Sequence, residues 1–152
     1  VNPLHYVKCV PAIKPAAIVD NATVTADVID CRGFDFALIV LQLGATDIAM
    51  TALKLQQSST SGGVYADITG ATFAAGTGYN GATLALPSAT DDGQTCAFMV
   101  DMRGREPFLK VVATFGDGSS GGFIAGVAVL GYGKLPPTTS AGVADGDVCL
   151  VI

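Results

Sequence analysis

Three stretches of the chain place reactive residue types at spacings that could do chemistry. "GSSGG", Gly118 to Gly122, fits the G-x-S-x-G pattern with Ser120 as its nucleophile. "GTGYNG", Gly76 to Gly81, fits the G-x-G-x-x-G turn that cradles phosphates, and "CLVI", Cys149 to Ile152, fits a prenylation signal. Each pattern works only in a particular setting. A nucleophile elbow needs a strand, a sharp turn and a helix whose N-terminus supports the oxyanion hole. Here "FLKVVATFG" leads into the turn and "GFIAGVAVLG" follows it, so a second strand stands where the helix should begin. A serine also needs a base, and the one histidine, His5, lies near the other end of the chain. Ser120 therefore reads as a residue of a mobile hairpin loop, and the chain reads as a non-enzyme.

The other patterns fail in the same way. A dinucleotide turn follows a strand and opens a helix, whereas "GTGYNG" sits in a Gly/Ala/Thr stretch with no helix after it. Lipid-modified tails pair with basic residues that bind the membrane, but "GVADGD" before Cys149 is acidic. Cys9, Cys31, Cys96 and Cys149 lie far apart with no C-x-x-C, so they read as small buried thiols in a reducing compartment and not as a zinc site. "DD" at Asp91 and Asp92 and "DGD" at Asp145 to Asp147 lack the oxygen-rich spacing of a calcium loop and read as solvated turn acids. With no Trp and four Tyr, platforms for stacking sugars are scarce. No metal and no cofactor is expected.

What must position these residues is a β-sheet scaffold. Glutamate occurs once, and 19 Gly and 7 Pro interrupt the chain too often for a long helix. Period-2 alternation is widespread instead. It sets Val24, Ala26 and Val28 on one face; Leu53 and Leu55 on another; then Cys96, Phe98, Val100 and Met102; and Leu109, Val111, Ala113 and Phe115. Strands are expected at 5–10, 22–30, 35–43, 49–57, 64–68, 82–86, 95–103, 108–116 and 122–132, with 70–94 as a long loop holding one short strand. The expected fold is all-β: one antiparallel β-sandwich or jelly-roll-like domain over residues 1–137, with extended terminal arms, the C-terminal one over 138–152.

The composition bounds the partners. The 152 residues are 50% hydrophobic and only 14% charged, with mean hydropathy +0.51, against roughly 25% charged in soluble domains. "FDFALIVLQLG" and "GFIAGVAVLGYG" are apolar on both faces and suit central or subunit-facing strands. Around Ile39 and Val127 they supply more apolar surface than one sandwich interior needs, which predicts a homo-oligomer, read as a trimer. The longest apolar runs are eight residues, too short for a membrane helix, and the N-terminal stretch shows no signal-peptide pattern. Eight scattered Lys and Arg in a chain of net charge −5 give no stripe for tracking phosphates, so neither nucleic acid nor membrane is an expected partner. The chain ends are the candidate capsid- or subunit-binding residues: Leu4 and Tyr6 at one end, and Leu150, Val151 and Ile152 at the other. The latter three would dock in an apolar groove or add to a sheet edge.

"LKLQQSSTSGGVYADITGATF", "RGREPFLKVVATFG" and "GVAVLGYGKLPP" occur in that order. Together they resemble, over residues 35–137, the cement or decoration proteins that coat the heads of tailed bacteriophages. The resemblance implies a structural virion protein that is assembled in the bacterial cytoplasm. It would bind the outside of the capsid through the major capsid protein, form trimers and stabilise the shell. The alternative is another virion surface module, such as a tail or receptor-binding domain, which would carry exposed aromatic or metal-bound loops at one end of the sandwich.

Overall fold

A computed structural model describes residues 6–74, 76–78 and 81–133. Eight strands occur among them: β1 (Lys8–Ile13), β2 (Ile29–Asp30), β3 (Phe34–Thr46), β4 (Ala52–Ser58), β5 (Ala66–Thr72), β6 (Thr95–Asp101), β7 (Phe108–Thr114) and β8 (Gly122–Gly133). They form two four-stranded antiparallel sheets packed as a β-sandwich. Sheet A has the order β1-β8-β3-β6 and sheet B the order β2-β7-β4-β5. Strand 1 pairs with 8, 2 with 7, 3 with 6 and 4 with 5. A ribbon of four such pairs rolled on itself gives the jelly roll the strand spacing led one to expect.

The core lies between the sheets and follows the alternation in the sequence. Leu53 and Leu55 of β4, Leu109, Val111 and Ala113 of β7, and Cys96, Phe98 and Val100 of β6 are all buried. They meet Ala37, Ile39, Leu41 and Leu43 of β3 and Ala128 and Leu130 of β8. Phe73 meets Phe98 edge to face, with ring centroids 5.3 Å apart, a favoured aromatic geometry. Where β8 crosses the core it thins to Gly126, because Leu41 of β3 already fills the space a side chain would need.

Four expectations need correction. The stretch 22–30 forms a ladder only at Ile29–Asp30. Thr23 and Val24 reach β7 through the Thr23–Thr114 bridge and the Val24 N–H to Ala113 carbonyl bond. The chain then lifts away, and the Asp27 N–H donates to the Ala12 carbonyl of β1 at 2.9 Å. That detour ties sheet B to sheet A and turns Val28 outward, 40% exposed, although the alternation set it with Val24 and Ala26. No strand forms at 82–86, where Thr83 makes an isolated bridge to Thr77, and β5 runs on to Thr72, past the point where the loop was expected to start. The turn holding Ser120 is no hairpin, since β7 lies in sheet B and β8 in sheet A, so it arches from one sheet to the other. It is also fixed: the Asp47 carboxylate accepts the backbone N–H groups of Ser119 and Ser120, and Asp20 accepts that of Gly118. Finally, Cys31 and Cys96 are buried as expected but Cys9 is exposed, because its partner Val129 faces outward.

Candidate interaction surface

The two sheets present opposite chemistry to the outside. On sheet B, Lys54 pairs with Val112 and Gln56 with Lys110 across β4 and β7, and the Lys54 ammonium reaches Asp67 of β5 at 2.7 Å. Gln56 donates to the same carboxylate, and Thr23 and Thr114 share a hydrogen bond. This face is polar and satisfied, as one wet face of an antiparallel sheet should be.

Sheet A departs from that rule. Residues directly opposite in an antiparallel ladder point to the same side, so the register sets the outer face row by row. Cys9, Val129, Leu38 and Met99 form one row, and Pro11, Val127, Val40 and Ala97 the next. Ala125, Gln42 and Thr95 follow on one side, Gly131, Phe36 and Asp101 on the other. Met99 is 59% exposed, Val127 50% and Phe123 42%. Phe123 lies across Gly44, where a Cβ would sit 2.9 Å from the Phe123 Cβ, so the absence of a side chain lets the ring cover the neighbouring strand. The two central rows carry no charged side chain. Four strands about 4.8 Å apart and about six residues long give a face on the order of 400 Å² with an apolar centre, in the range of the largest patches that proteins expose and often use for contacts.

Charge is confined to the margin. Arg103 grips Asp101 at 2.6 Å, and its guanidinium hydrogen bonds hold that carboxyl down at about 2. Lys14 pairs with Asp27 beside β1. An apolar centre with an ionic rim is the anatomy of a protein–protein contact.

Of the chain-end residues singled out from the sequence, Tyr6 is half-buried just before β1, while Leu4, Leu150, Val151 and Ile152 lie outside the described residues. His5 and Cys149 also lie outside them. The two-sided strands did signal the surface, with one shift of parity: Ile39 is fully buried in the core, and its neighbours Leu38 and Val40 line the outer face. Met99 escaped notice because its strand reads as one-sided, whereas Phe123 belongs to the stretch that reads as apolar on both faces.

Among the described residues the chemistry-bearing side chains do not converge. The Ser88 N–H, and after it the Ser88 hydroxyl, donate to Asp91 and lower its carboxyl below the ordinary range. Burial, with the Asp30 charge as a second cause, pushes the Cys31 thiol up to about 12, so it stays protonated at neutral pH. Among the described residues no three His, Cys, Asp or Glu gather as metal ligands. No protein-family model, curated protein or solved structure matches the chain.

Proposed function

We propose that the protein is a structural virion subunit that coats the outside of a bacteriophage capsid as a homotrimer and stabilises the shell. The observation that carries the assembly half of this reading is the uncovered apolar face of sheet A, set against the polar, internally paired face of sheet B. Exposed apolar patches of this size are often contact surfaces. The capsid half rests on the three stretches that resemble phage cement proteins, now placed on β4–β5, on the turn into β7, and on β8 and the residues after it. The jelly roll is compatible with both, being common in viral coats, though one fold hosts many functions.

In this reading the rows centred on Val40 and Val127 join neighbouring copies, and the trimer so formed sits on the major capsid protein. The test is direct. The purified chain is sized by light scattering at micromolar concentration and then mixed with empty capsids stripped of outer proteins. A trimer that cosediments with the capsids and raises their heat resistance is expected. A monodisperse monomer would overturn the assembly, and a trimer that leaves capsids bare and no more stable would overturn the capsid role.

A further inference from the structure

Among the described residues the sandwich is closed along one side and open along the other. At the β1/β2 side, the Asp27 N–H to Ala12 bond stitches the sheets together, Pro11 and Lys8 blunt β1, and β2 has only two residues. Prolines, lysines and short strands are the usual protections of a sheet edge. At the β5/β6 side, a groove of about 680 Å³ runs between the two edge strands, lined on its apolar side by Ile68, Phe73, Leu84, Cys96, Phe98 and Val100. The β5 edge is broken by a register shift opposite Lys54 and Gln56. The β6 edge has none of these protections: seven residues in unbroken register, with no proline, no lysine and no bulge.

Its backbone is set to receive another strand. The Leu43 N–H donates to Gln94 and the Met102 N–H to Asp35, which fixes the phase of the β3–β6 ladder. By that phase Cys96, Phe98 and Val100 exchange bonds with β3, while Thr95, Ala97, Met99 and Asp101 turn their N–H and C=O groups to the open edge. Among the described residues nothing pairs with those backbone groups. A strand added there would have an unusual environment. Its inner side chains would enter the apolar groove, and its outer ones would extend the apolar face beside Ala97 and Met99.

We infer that this edge is filled by the chain's own segment Asp147–Ile152, "DVCLVI", running antiparallel to β6 as a fifth strand of sheet A. The segment is apolar at five successive positions, so Val148, Leu150 and Ile152 share one face and Cys149 and Val151 the other. That two-sided pattern suits a site that is apolar above and below the sheet. The connection also reaches. β8 is described as far as Gly133, and Phe36 pairs with both Gly131 and Asp101, so Gly133 lies at the Asp101 end of β6. A strand beyond β6 lies about 14 Å from β8, and the 13 residues 134–146 span up to about 43 Å when extended. A chain returning from that end runs antiparallel to β8 and hence to β6. The inference stands apart from the proposed capsid role, since it concerns the fold of a single chain.

Amide hydrogen exchange of the full-length, isotope-labelled protein tests it. The Ala97 and Met99 amides should exchange at least about 100-fold more slowly than in an unstructured chain. In the full-length variant carrying Leu150→Asp and Ile152→Asp they should lose that protection, while Phe98 and Val100 stay protected and so report an intact ladder with β3. Fast exchange at Ala97 and Met99 in the unmodified chain would overturn the inference, as would protection that persists in the variant. The labelled variant is then mixed with excess unlabelled, unmodified chain. Continued fast exchange supports a strand supplied from within the chain, and regained protection would overturn this in favour of a strand from a second copy. The milder pair Leu150→Ala and Ile152→Ala gives the same comparison should the aspartates impair folding.

Discussion

The carboxylate of Asp47 accepts the backbone N–H of Ser120, and with it that of Ser119, across the arch between β7 and β8. A serine whose peptide group is spent on holding its own turn belongs to the scaffold. Its hydroxyl plays no part in that bond, so Ser120→Ala should leave the thermal midpoint unchanged. An esterase activity that vanished in this variant would reinstate the nucleophile.

Asp47 itself should matter more, and in a pH-dependent way. The Ser120 N–H foremost, then those of Gly121 and Ser119, hold its carboxyl below the ordinary 3.8. A carboxyl lowered on folding contributes stability above its unfolded value and loses that contribution as pH falls through its folded value. Asp47→Asn should therefore destabilise the protein at pH 7, and the gap from the unmodified chain should shrink as pH drops below 3.8. Paired thermal melts from pH 7 to pH 2 check this; a gap that stayed constant would mean that the charge is irrelevant.

Gly126 tests the packing where β8 crosses the core. A Cβ there would lie 2.4 Å from Leu41 Cδ2 and 2.6 Å from the Val40 carbonyl oxygen. One contact is with a side chain able to turn and the other with backbone that is held in the ladder. Gly126→Ala should cost about 1–3 kcal/mol, the usual penalty of overpacking, as read by urea unfolding. An unchanged midpoint would show that the two central strands can separate freely.

The outer face of sheet A makes the opposite prediction, with loss of assembly and little loss of fold. Met99 and Val127 are 59% and 50% exposed, so lysines at both positions can keep their ammonium groups in water. Each side chain contributes about 1.5–3 kcal/mol to a contact that buries it fully. Met99→Lys with Val127→Lys should leave the far-ultraviolet spectrum intact and give monomers by light scattering. Oligomers that survive both lysines would move the contact to another surface.

Much of this architecture was legible in the sequence because period-2 alternation and burial are one signal seen twice. Leu53, Leu55, Leu109 and Val111 are core residues for the reason their polar neighbours are not. The misjudged places are those where a non-local partner overrides the local pattern. Val28 alternates correctly but rides on a detour made by the Asp27–Ala12 bond, a contact with a strand fifteen residues back along the chain. Ile39 and Val40 are equally apolar, and only the pairing with β6 and β8 decides which one faces water. The β5/β6 groove was invisible for the same reason: strands 66–72 and 95–101 become neighbours through the rolled topology, with nothing in either sequence naming the other.

The pairing of Lys8 with Leu130 also sets an order of events in the cell. A ribosome makes β1 before β8, yet among the described residues β8 is its only ladder partner, so β1 must wait until more than a hundred residues have followed. Sheet A cannot be completed during synthesis of the first seven strands, and its apolar rows are exposed on nascent chains that sit side by side on one message. Pairings this distant in sequence fold in milliseconds to seconds rather than microseconds, and unpaired strands at high local concentration find wrong partners. The yield of correctly folded subunits should thus depend on translation rate and on chaperone supply, a burden written into the strand order itself.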